Sequence, residues 1–284
     1  MLARVKSRTA QYNNPSKTAR SEFRTNSKLL YYNIFALAYS ASLSLAQPIM
    51  VNSSWTKNHV EYLLSHSPIP SGNSKSLSIV YPPCDTQTMS SFSLEGRKKI
   101  IMSLAQFRPE KDHAKQILAL AKLFETHPEY KEQGVRLVLI GSSRNAADEA
   151  RVVALRSLVN ELELDGSIEF IVNASYDVVL SWLAGASIGT NTMVDEHFGI
   201  NVVEFMAAAI THGEPMDNFL HIGYHATDPT SFAEAFHQAL SLPAPEALAM
   251  RKRARALAVE RFSTEGFEKG WAQGWEFVVR SVKS

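Results

Sequence analysis

Two carboxylates, Glu196 and Glu204, stand eight positions apart in D-E-H-F-G-I-N-V-V-E, residues 195–204. Gly199 lies between them, and the residues around Glu204 are apolar with the spacing of a helix. Carboxylates accept hydrogen bonds, so Glu204 has the chemistry to hold the hydroxyls of a ribose. The pair is therefore the first candidate for a ligand site.

The elements around the pair support this interpretation. Residues 186–190 read as a strand that runs into a loop carrying Glu196, and a helix carrying Glu204 is predicted to begin near Phe198. A helix start offers free N–H groups and the positive end of a dipole, which suits a phosphate. The alternative is that both glutamates are solvated charges, because acidic residues near helix starts are common.

A second group of candidates lies in Q-F-R-P-E-K, residues 106–111. Arg108 and Lys111 follow a predicted strand and could neutralise a diphosphate there, although isolated cations are mostly surface charges. Gly141, followed by two serines, would let the backbone approach a ligand. The chain has neither G-x-G-x-x-G nor G-x-x-x-x-G-K-[ST] at this point, which argues against a dehydrogenase or a P-loop enzyme.

Strands and helices are predicted to alternate through the middle of the chain. The predicted strands are residues 99–104, 135–141, 167–172 and 186–190, and the helices between them are 113–126, 146–162 and 176–184. Three more helices are predicted at 231–240, 246–261 and 264–282. This α/β pattern indicates a parallel sheet covered on both faces, with ligands beyond the carboxyl ends of its strands.

Composition describes an ordinary globular protein. The 284 residues are 45% hydrophobic and 20% charged with a net charge of +1, so nothing indicates a nucleic-acid partner. A single cysteine, Cys84, excludes an intrachain disulfide. No H-E-x-x-H motif or cysteine cluster is present, and we therefore expect no metal site.

The first 51 residues are unlike the rest. Residues 1–28 hold seven basic residues against Glu22, a local charge of +6, which fits a transit peptide or a basic arm near a membrane or diphosphate. Residues 29–51 are uncharged. Asn33, three serines and Pro48 interrupt this stretch, so a buried or interfacial helix followed by a strand is favoured over a transmembrane span.

Four motifs carry a family resemblance. They are V-N-S-S-W-T-K-N-H at 51–59, Y-P-P-C-D at 81–85, Q-F-R-P-E-K at 106–111 and E-H-F-G at 196–199. Together with the E-x7-E pair they resemble retaining glycosyltransferases of the GT-B fold (glycosyltransferase family 4 type), and more narrowly the α-1,2-mannosyltransferases of asparagine-linked glycosylation. The resemblance implies a Rossmann-like parallel-sheet domain with an incomplete N-terminal domain. Its expected parts are a remnant of the acceptor domain at 1–82, a nucleotide-sugar-binding domain at 83–262 and a crossover helix at 263–284.

The resemblance also implies an activity. Enzymes of this kind transfer mannose from GDP-mannose to a dolichol-diphosphate-linked oligosaccharide at the cytosolic face of the endoplasmic reticulum membrane, without a cofactor or metal. The implied partners are these two substrates and the membrane surface. By the resemblance, Glu196 is the catalytic residue that holds the mannose. The implied donor-binding residues are Arg108 and Lys111 at the diphosphate, Glu204 at the ribose, and Gly141, Phe198, Gly199 and Ile200.

Two departures from the family leave an alternative open. The family has a much larger first domain than the 82 residues found here. After Ala208 the family continues through a strand and an S-G-G-P donor loop, whereas residues 209–220 differ and the likeness resumes at 223–227. A donor-contacting loop is thus expected to be missing, and the alternative function is an inactive remnant that retains at most nucleotide binding. An unrelated doubly wound binding module would explain the strand and helix pattern but not the motifs.

Overall fold

The computed structural model describes residues 21–69, 77–193, 196–212 and 224–283. The helices are α1 (Glu22–Leu45), α2 (Ser54–Ser65), α3 (Thr86–Ser90), α4 (His113–Thr126), α5 (Glu129–Glu132), α6 (Ala146–Glu161), α7 (Tyr176–Gly185), α8 (Ile200–Ala207), α9 (Pro229–Ser241), α10 (Ala244–Phe262) and α11 (Thr264–Lys283). The strands are β1 (Ile49–Val51), β2 (Leu77–Ile79), β3 (Lys98–Leu104), β4 (Arg136–Gly141), β5 (Ile168–Val172), β6 (Ala186–Thr190) and β7 (Thr211–His212).

The chain divides into two compact units. The first consists of Met1–Tyr81 together with Lys269–Ser284, and the second is Pro82–Glu268. In the first unit β1 and β2 pair in parallel, and Ile49, Val51 and Val60 form a small buried core. Most of the apolar burial therefore lies in the second unit, which holds the larger sheet.

Helix α1 of the first unit buries polar residues and exposes apolar ones. Ser40 and Ser44 are buried, and the Ser44 hydroxyl donates to the Ser67 hydroxyl at 2.6 Å. Tyr31, Phe35 and Tyr39 are 46–62% exposed, and their rings stack one turn apart with centroids 6.3 and 6.1 Å from each other. A buried or interfacial helix was expected here; the helix is present, and these exposed rings show that it is not buried on this side. Among the described residues, no helix combines the length and apolar character needed to cross a bilayer.

The second unit is built on a five-stranded sheet in the order β5-β4-β3-β6-β7, and every strand pair is parallel. Alternate residues of β3 and β4 point to opposite faces. Ile101 and Leu137 join the core cluster that contains residues of α4, α6 and α9. Their neighbours Ile100 and Val138 point the other way and are also at most 3% exposed. Both faces of the sheet are therefore covered, as predicted for a parallel α/β fold.

The predicted helices and strands of the second unit are present. Their ends agree within one or two residues, and the C-terminal helices begin and end within two residues of the predicted limits. After Ala208, β7 pairs in parallel with β6, with Thr211 opposite Ile188. The expected loss of a donor loop concerns residues 209–220, of which 213–220 lie outside the described part of the chain.

Two partly buried arginines hold the carboxyl ends of helices α7 and α8. The Arg97 guanidinium donates to the carbonyl oxygens of Leu183 at 2.7 Å and Ala186 at 3.0 Å, and also to that of Ala208. Arg255 donates to the Ala207 carbonyl at 3.0 Å. Burial, followed by the neighbouring arginines, lowers the pKa of Arg97 to about 10, so it remains charged at neutral pH. These cations neutralise the negative dipole ends of α7 and α8 and fix α8 against the sheet.

The contact between β6 and α8 requires a glycine at position 189. A Cβ atom added there would lie 2.3 Å from the ring of Phe205, which is fully buried. We expect Gly189→Ala to lower the free energy of unfolding by about 2 kcal/mol, because the ring has no space to move into. Gly185→Ala is the control, since a Cβ there meets nothing within 4 Å. Urea unfolding of both variants tests this, and equal stability would contradict the packing described here.

Candidate active site

A cavity of 480 Å³ opens at the carboxyl ends of β3 and β4, where Leu104 and Gly141 line it. Residues after β5 and the start of α8 complete the wall. This is the edge at which parallel sheets bind ligands, and the volume falls in the usual range of about 300–1,000 Å³ for small-molecule sites. Of the residues predicted from the sequence, the cavity brings together Lys111, Gly141, Glu196, Gly199, Ile200 and Glu204.

The strand-end loops that line the cavity are joined through their backbones. Gly141 approaches the loop after β3 so closely that an added Cβ would lie 1.9 Å from the carbonyl oxygen of Ala105. Asn173 adopts a left-handed backbone conformation at φ 57°, and its N–H donates to the Gly141 carbonyl at 2.9 Å. Its side-chain oxygen accepts from the Ser143 N–H at 2.9 Å. Three neighbouring loops therefore form one hydrogen-bonded floor.

A lysine and a glutamate contact each other in the wall of the cavity. The Lys111 ammonium lies 3.0 Å from Oε2 of Glu196 and 2.9 Å from the sulfur of Met193. The Asn191 amide donates to the same glutamate oxygen at 3.3 Å. The two charged side chains are only 20% and 19% exposed, so water screens their attraction less than it would on the open surface. A cation and a carboxylate are thus held together at one point of the site.

Buried polar residues hold the backbone that carries Lys111. The Gln116 amide donates to the Thr192 hydroxyl at 2.8 Å, and this hydroxyl donates to the carbonyl oxygens of Lys111 at 2.5 Å and Asp112 at 3.2 Å. Gln116 and Thr192 are 1% and 3% exposed. The loop after β3 and the loop after β6 are thereby tied together, which fixes the lysine beside the glutamate.

Helix α8 begins at Ile200, two residues later than predicted. Gly199 precedes it with φ 74°, a left-handed conformation that glycine adopts without strain. Among the described residues, the N–H groups of Ile200 and Asn201 have no hydrogen-bond partner. The buried side-chain amide of Asn201 also lacks one and lines the cavity. These donors, at the positive end of the α8 dipole, favour an anionic or hydroxyl-bearing ligand.

Two predicted donor-binding residues do not line this cavity. The ring of Phe198 packs edge-on against Phe262, with centroids 5.9 Å apart. The Arg108 guanidinium lies 3.6 Å from the carboxylate of Glu110 and lines a separate, smaller cavity. In the described residues, no group of three His, Cys, Asp or Glu side chains is placed to hold a metal ion.

Glu204 lies in a poorly solvated corner of the cavity. Burial raises its pKa to about 7, so the carboxyl is roughly half protonated at neutral pH. Burial, followed by the charges of Asp85 and Glu204, raises the pKa of the Tyr176 hydroxyl to about 12. Burial and then Glu204 likewise raise the pKa of Cys84 to about 12, which keeps this thiol from acting as a nucleophile at neutral pH. A ligand that donates hydrogen bonds to Glu204 would favour its ionised form.

Sequence reasoning missed several residues of the site. Asn173 and Tyr176 follow β5, and that strand end was recognised as a ligand-facing position without any residue being chosen. Asn191 precedes the glutamate motif and Asn201 lies within it, but single asparagines give no signal of their own. Their proximity to strand ends and to the start of α8 was the available clue.

Glu204 should make stability depend on pH. Its pKa is about 7 in the folded chain and 4.5 ordinarily, so its stabilising contribution is complete below pH 4.5 and is lost as the pH rises through 7. Glu204→Gln stays neutral, and we expect it to raise the free energy of unfolding by about 2 kcal/mol more at pH 8 than at pH 5. Urea unfolding at both pH values measures this. Glu161→Gln, at an exposed position of α6, is the control, and an equal pH response of both variants would refute the assignment.

Comparison with known proteins agrees with this geometry. Residues 1–64 match the family described as ALG11 mannosyltransferase N-terminus, and residues 85–212 match glycosyl transferases group 1. The chain is 39% identical over 285 residues to a GDP-Man:Man(3)GlcNAc(2)-PP-Dol alpha-1,2-mannosyltransferase of Mus musculus, covering 94% of this chain and 56% of the relative. The corresponding enzyme of Dictyostelium discoideum is 38% identical, with 94% and 54% covered. The chain thus spans about half the length of the curated relatives it matches.

Solved structures show the same fold at low identity. A glycosyltransferase from Rickettsia africae superimposes with a TM-score of 0.69 at 15% identity, covering 87% of this chain and 67% of its own. The Anabaena protein Alr3699/HepE, solved in complex with UDP and glucose, gives 0.65 at 16% identity, covering 85% and 66%. The α/β fold of GT-B type expected from the motifs is confirmed. Residues 85–212 of the chain are therefore a group 1 glycosyl transferases domain, and the chain is similar along most of its length to the dolichol-pathway α-1,2-mannosyltransferases.

Proposed function

We propose that the protein transfers mannose from GDP-mannose to a dolichol-diphosphate-linked oligosaccharide, forming an α-1,2 linkage in protein N-glycosylation. The observation that carries this proposal is the Lys111–Glu196 pair at 3.0 Å, in the same cavity as Glu204 and the start of α8. A nucleoside diphosphate sugar needs a cation at its diphosphate, acceptors at its hydroxyls and donors at its phosphate oxygens. The cavity supplies each of these, and the names of the relatives support mannose, GDP and the dolichol-linked acceptor.

Lys111 and the open N–H group of Ile200 would hold the diphosphate. Arg108 would also contact the diphosphate once its single contact with Glu110, at 3.6 Å, is broken. Gly141 would allow the nucleotide to lie against the backbone floor. Gly199 would keep the helix start accessible, because the Cβ of any other residue would lie 3.1 Å from Cγ of Glu196. Phe198 contributes by anchoring this turn through Phe262.

Glu204 would accept hydrogen bonds from the ribose, and Glu196 would hold the transferred mannose. During transfer the bond between the anomeric carbon and the diphosphate oxygen breaks, and its electron pair leaves with GDP. Lys111 would stabilise the developing negative charge on that oxygen. The acceptor hydroxyl forms the new bond with retention of configuration and passes its proton to the leaving diphosphate oxygen. Glu196 would fix the sugar in the orientation for this attack.

The ion pair also bears on which ligand the cavity would prefer. Lys111 is already neutralised by Glu196, so a bound diphosphate must draw the ammonium towards itself while the sugar hydroxyls replace it at the carboxylate. Both exchanges happen together only when phosphate and sugar are part of one ligand. The arrangement would therefore favour the intact donor over free mannose.

Lysine 111 gives a direct test of the donor site. We expect Lys111→Ala to weaken GDP binding at least about 10-fold, since hydrogen bonds to charged groups contribute about 1.5–3 kcal/mol. Lys115→Ala is the matched control, because that lysine pairs with Asp112 at 3.2 Å and does not line the cavity. Calorimetry with GDP measures both variants. Equal loss in both, or no GDP binding by the unaltered chain, would reject this donor site.

Transfer activity separates the proposal from its alternative. The unaltered chain, incubated with GDP-mannose and a lipid-linked oligosaccharide, should lengthen the acceptor by mannose. Mass spectrometry of the released glycan measures this. GDP binding without transfer would favour a remnant that retains only nucleotide binding, the alternative prompted by the altered residues 209–220.

We also propose that helix α1 binds a membrane surface, which would place the enzyme at the cytosolic face of the endoplasmic reticulum membrane. The exposed stack of Tyr31, Phe35 and Tyr39 offers aromatic rings of the kind that lie at lipid headgroups. Arg24 and Lys28 lie in the first two turns of the same helix, and cations there favour anionic lipid. Aromatic rings and cations on one helix are the features expected of a helix that binds the surface of an anionic membrane.

Vesicle flotation tests this contact. We expect the double variant Tyr31→Ser and Phe35→Ser to lose most binding to vesicles that contain anionic lipid, because each ring removes apolar area from water. Val153→Ser on α6 is the control for an exposed apolar side chain elsewhere, at 64% exposure. Unchanged flotation of the double variant, or a shift to a dimer without lipid binding, would contradict the membrane assignment.

A further inference from the structure

A second cavity, of 270 Å³, lies between the segment after β3 and helix α6. Arg108, Asp112 and His113 line one side, and Arg151 with Leu155 lines the other. It shares no lining residue with the 480 Å³ cavity. Its volume is below the usual range of about 300–1,000 Å³ for small-molecule sites, so it fits a smaller ligand than a nucleotide sugar.

The start of helix α4 opens into this cavity. Asp112 occupies the N-cap position but makes no side-chain capping bond. Its carboxylate instead pairs with Lys115 at 3.2 Å, which neutralises the negative charge at this wall. Among the described residues, the N–H groups of His113 and Ala114 have no hydrogen-bond partner. A 14-residue helix therefore presents free donors and its positive dipole end to the cavity.

His113 supplies an independent observation. Its side chain is 2% exposed and its ring packs 4.9 Å from that of Phe107, yet neither ring nitrogen has a hydrogen-bond partner within the described residues. Burial lowers the pKa of this ring to about 4, although the nearby Ala105 carbonyl favours the charged form. A buried polar group without a partner costs about 1–3 kcal/mol, which a bound ligand would recover.

Arg151 adds an unpaired charge to the same wall. Its Nε atom is buried without a hydrogen-bond partner, and none of the described carboxylates forms an ion pair with it. Arg151 is also close enough to His113 to disfavour protonation of the ring. An unpaired guanidinium, free backbone donors and a neutral imidazole thus surround one small space.

We propose that this second cavity binds a phosphate group, either as inorganic phosphate or as a phosphate monoester. Backbone donors at a helix start together with a guanidinium are the usual protein partners of a phosphate. The ring of His113 would donate to a phosphate oxygen, and Arg151 would supply the balancing charge. The site is separate from the donor cavity, so it stands whether or not the protein is a mannosyltransferase.

Phosphate binding to single variants tests the site. Calorimetry with inorganic phosphate should give one saturable site on the unaltered chain. Arg151→Gln should weaken it at least about 10-fold, and His113→Gln should weaken it in the same direction, because each removes a ligand group. Arg156→Gln is the matched control, since this arginine lies on the same helix but stacks 4.6 Å over Phe170. Thermal unfolding identifies any variant that has lost its fold.

Lys111→Ala distinguishes the two cavities. Its phosphate affinity should fall much less than that of Arg151→Gln, because Lys111 lines only the donor cavity and acts on His113 through its charge alone. The proposal is overturned by the absence of saturable binding, by equal losses in Arg151→Gln and Arg156→Gln, or by a loss confined to Lys111→Ala. Glucose 6-phosphate serves as a second probe. Tighter binding than inorganic phosphate supports a monoester ligand, and weaker or equal binding supports free phosphate.

Discussion

The close approach of Gly141 to the carbonyl oxygen of Ala105 is the constraint on which the site depends. It brings the ends of β3 and β4 together with no side chain between them, and it exposes the Gly141 carbonyl to the N–H of Asn173. The loops after β3, β4 and β5 are joined to one another at the ends of their strands. The sheet therefore fixes the position of the loop that carries Lys111. Functional residues placed on such a rigid support lose little conformational entropy when a ligand binds.

The sequence predicted the sheet well because β3 and β4 are buried on both sides. A run such as residues 137–140 is apolar throughout, and such runs between helical segments leave few alternatives to a parallel sheet. The glutamate motif was also placed in the cavity as predicted, because strand ends and helix starts fix its position. The local sequence pattern was sufficient to predict these elements because the pattern alone indicates which of their residues are buried.

The local pattern was insufficient where contacts between side chains decide their positions. Arg108 was expected beside a diphosphate, and in the structure it contacts Glu110 and lines another cavity. Phe198 was expected to offer its backbone at the helix start, and the sequence did not indicate that its ring packs against Phe262, 64 positions later. Residues 29–51 were expected to form a buried or interfacial helix followed by a strand, but composition does not show which side of a helix has a neighbour. The roles of the predicted donor residues remain predictions.

The inverted polarity of helix α1 has a practical consequence. Its serine hydroxyls are satisfied within the chain, by the Leu37 and Ser40 carbonyls and by Ser67, so the helix needs no further polar partner. The aromatic rings on its other side face water. In a concentrated solution without lipid or detergent, the rings of different molecules come into contact. This self-association competes with the binding of any other partner to the same surface. Mild detergent or lipid nanodiscs would mask these rings, so recovery during purification should depend on the amphiphile supplied as much as on the stability of the fold.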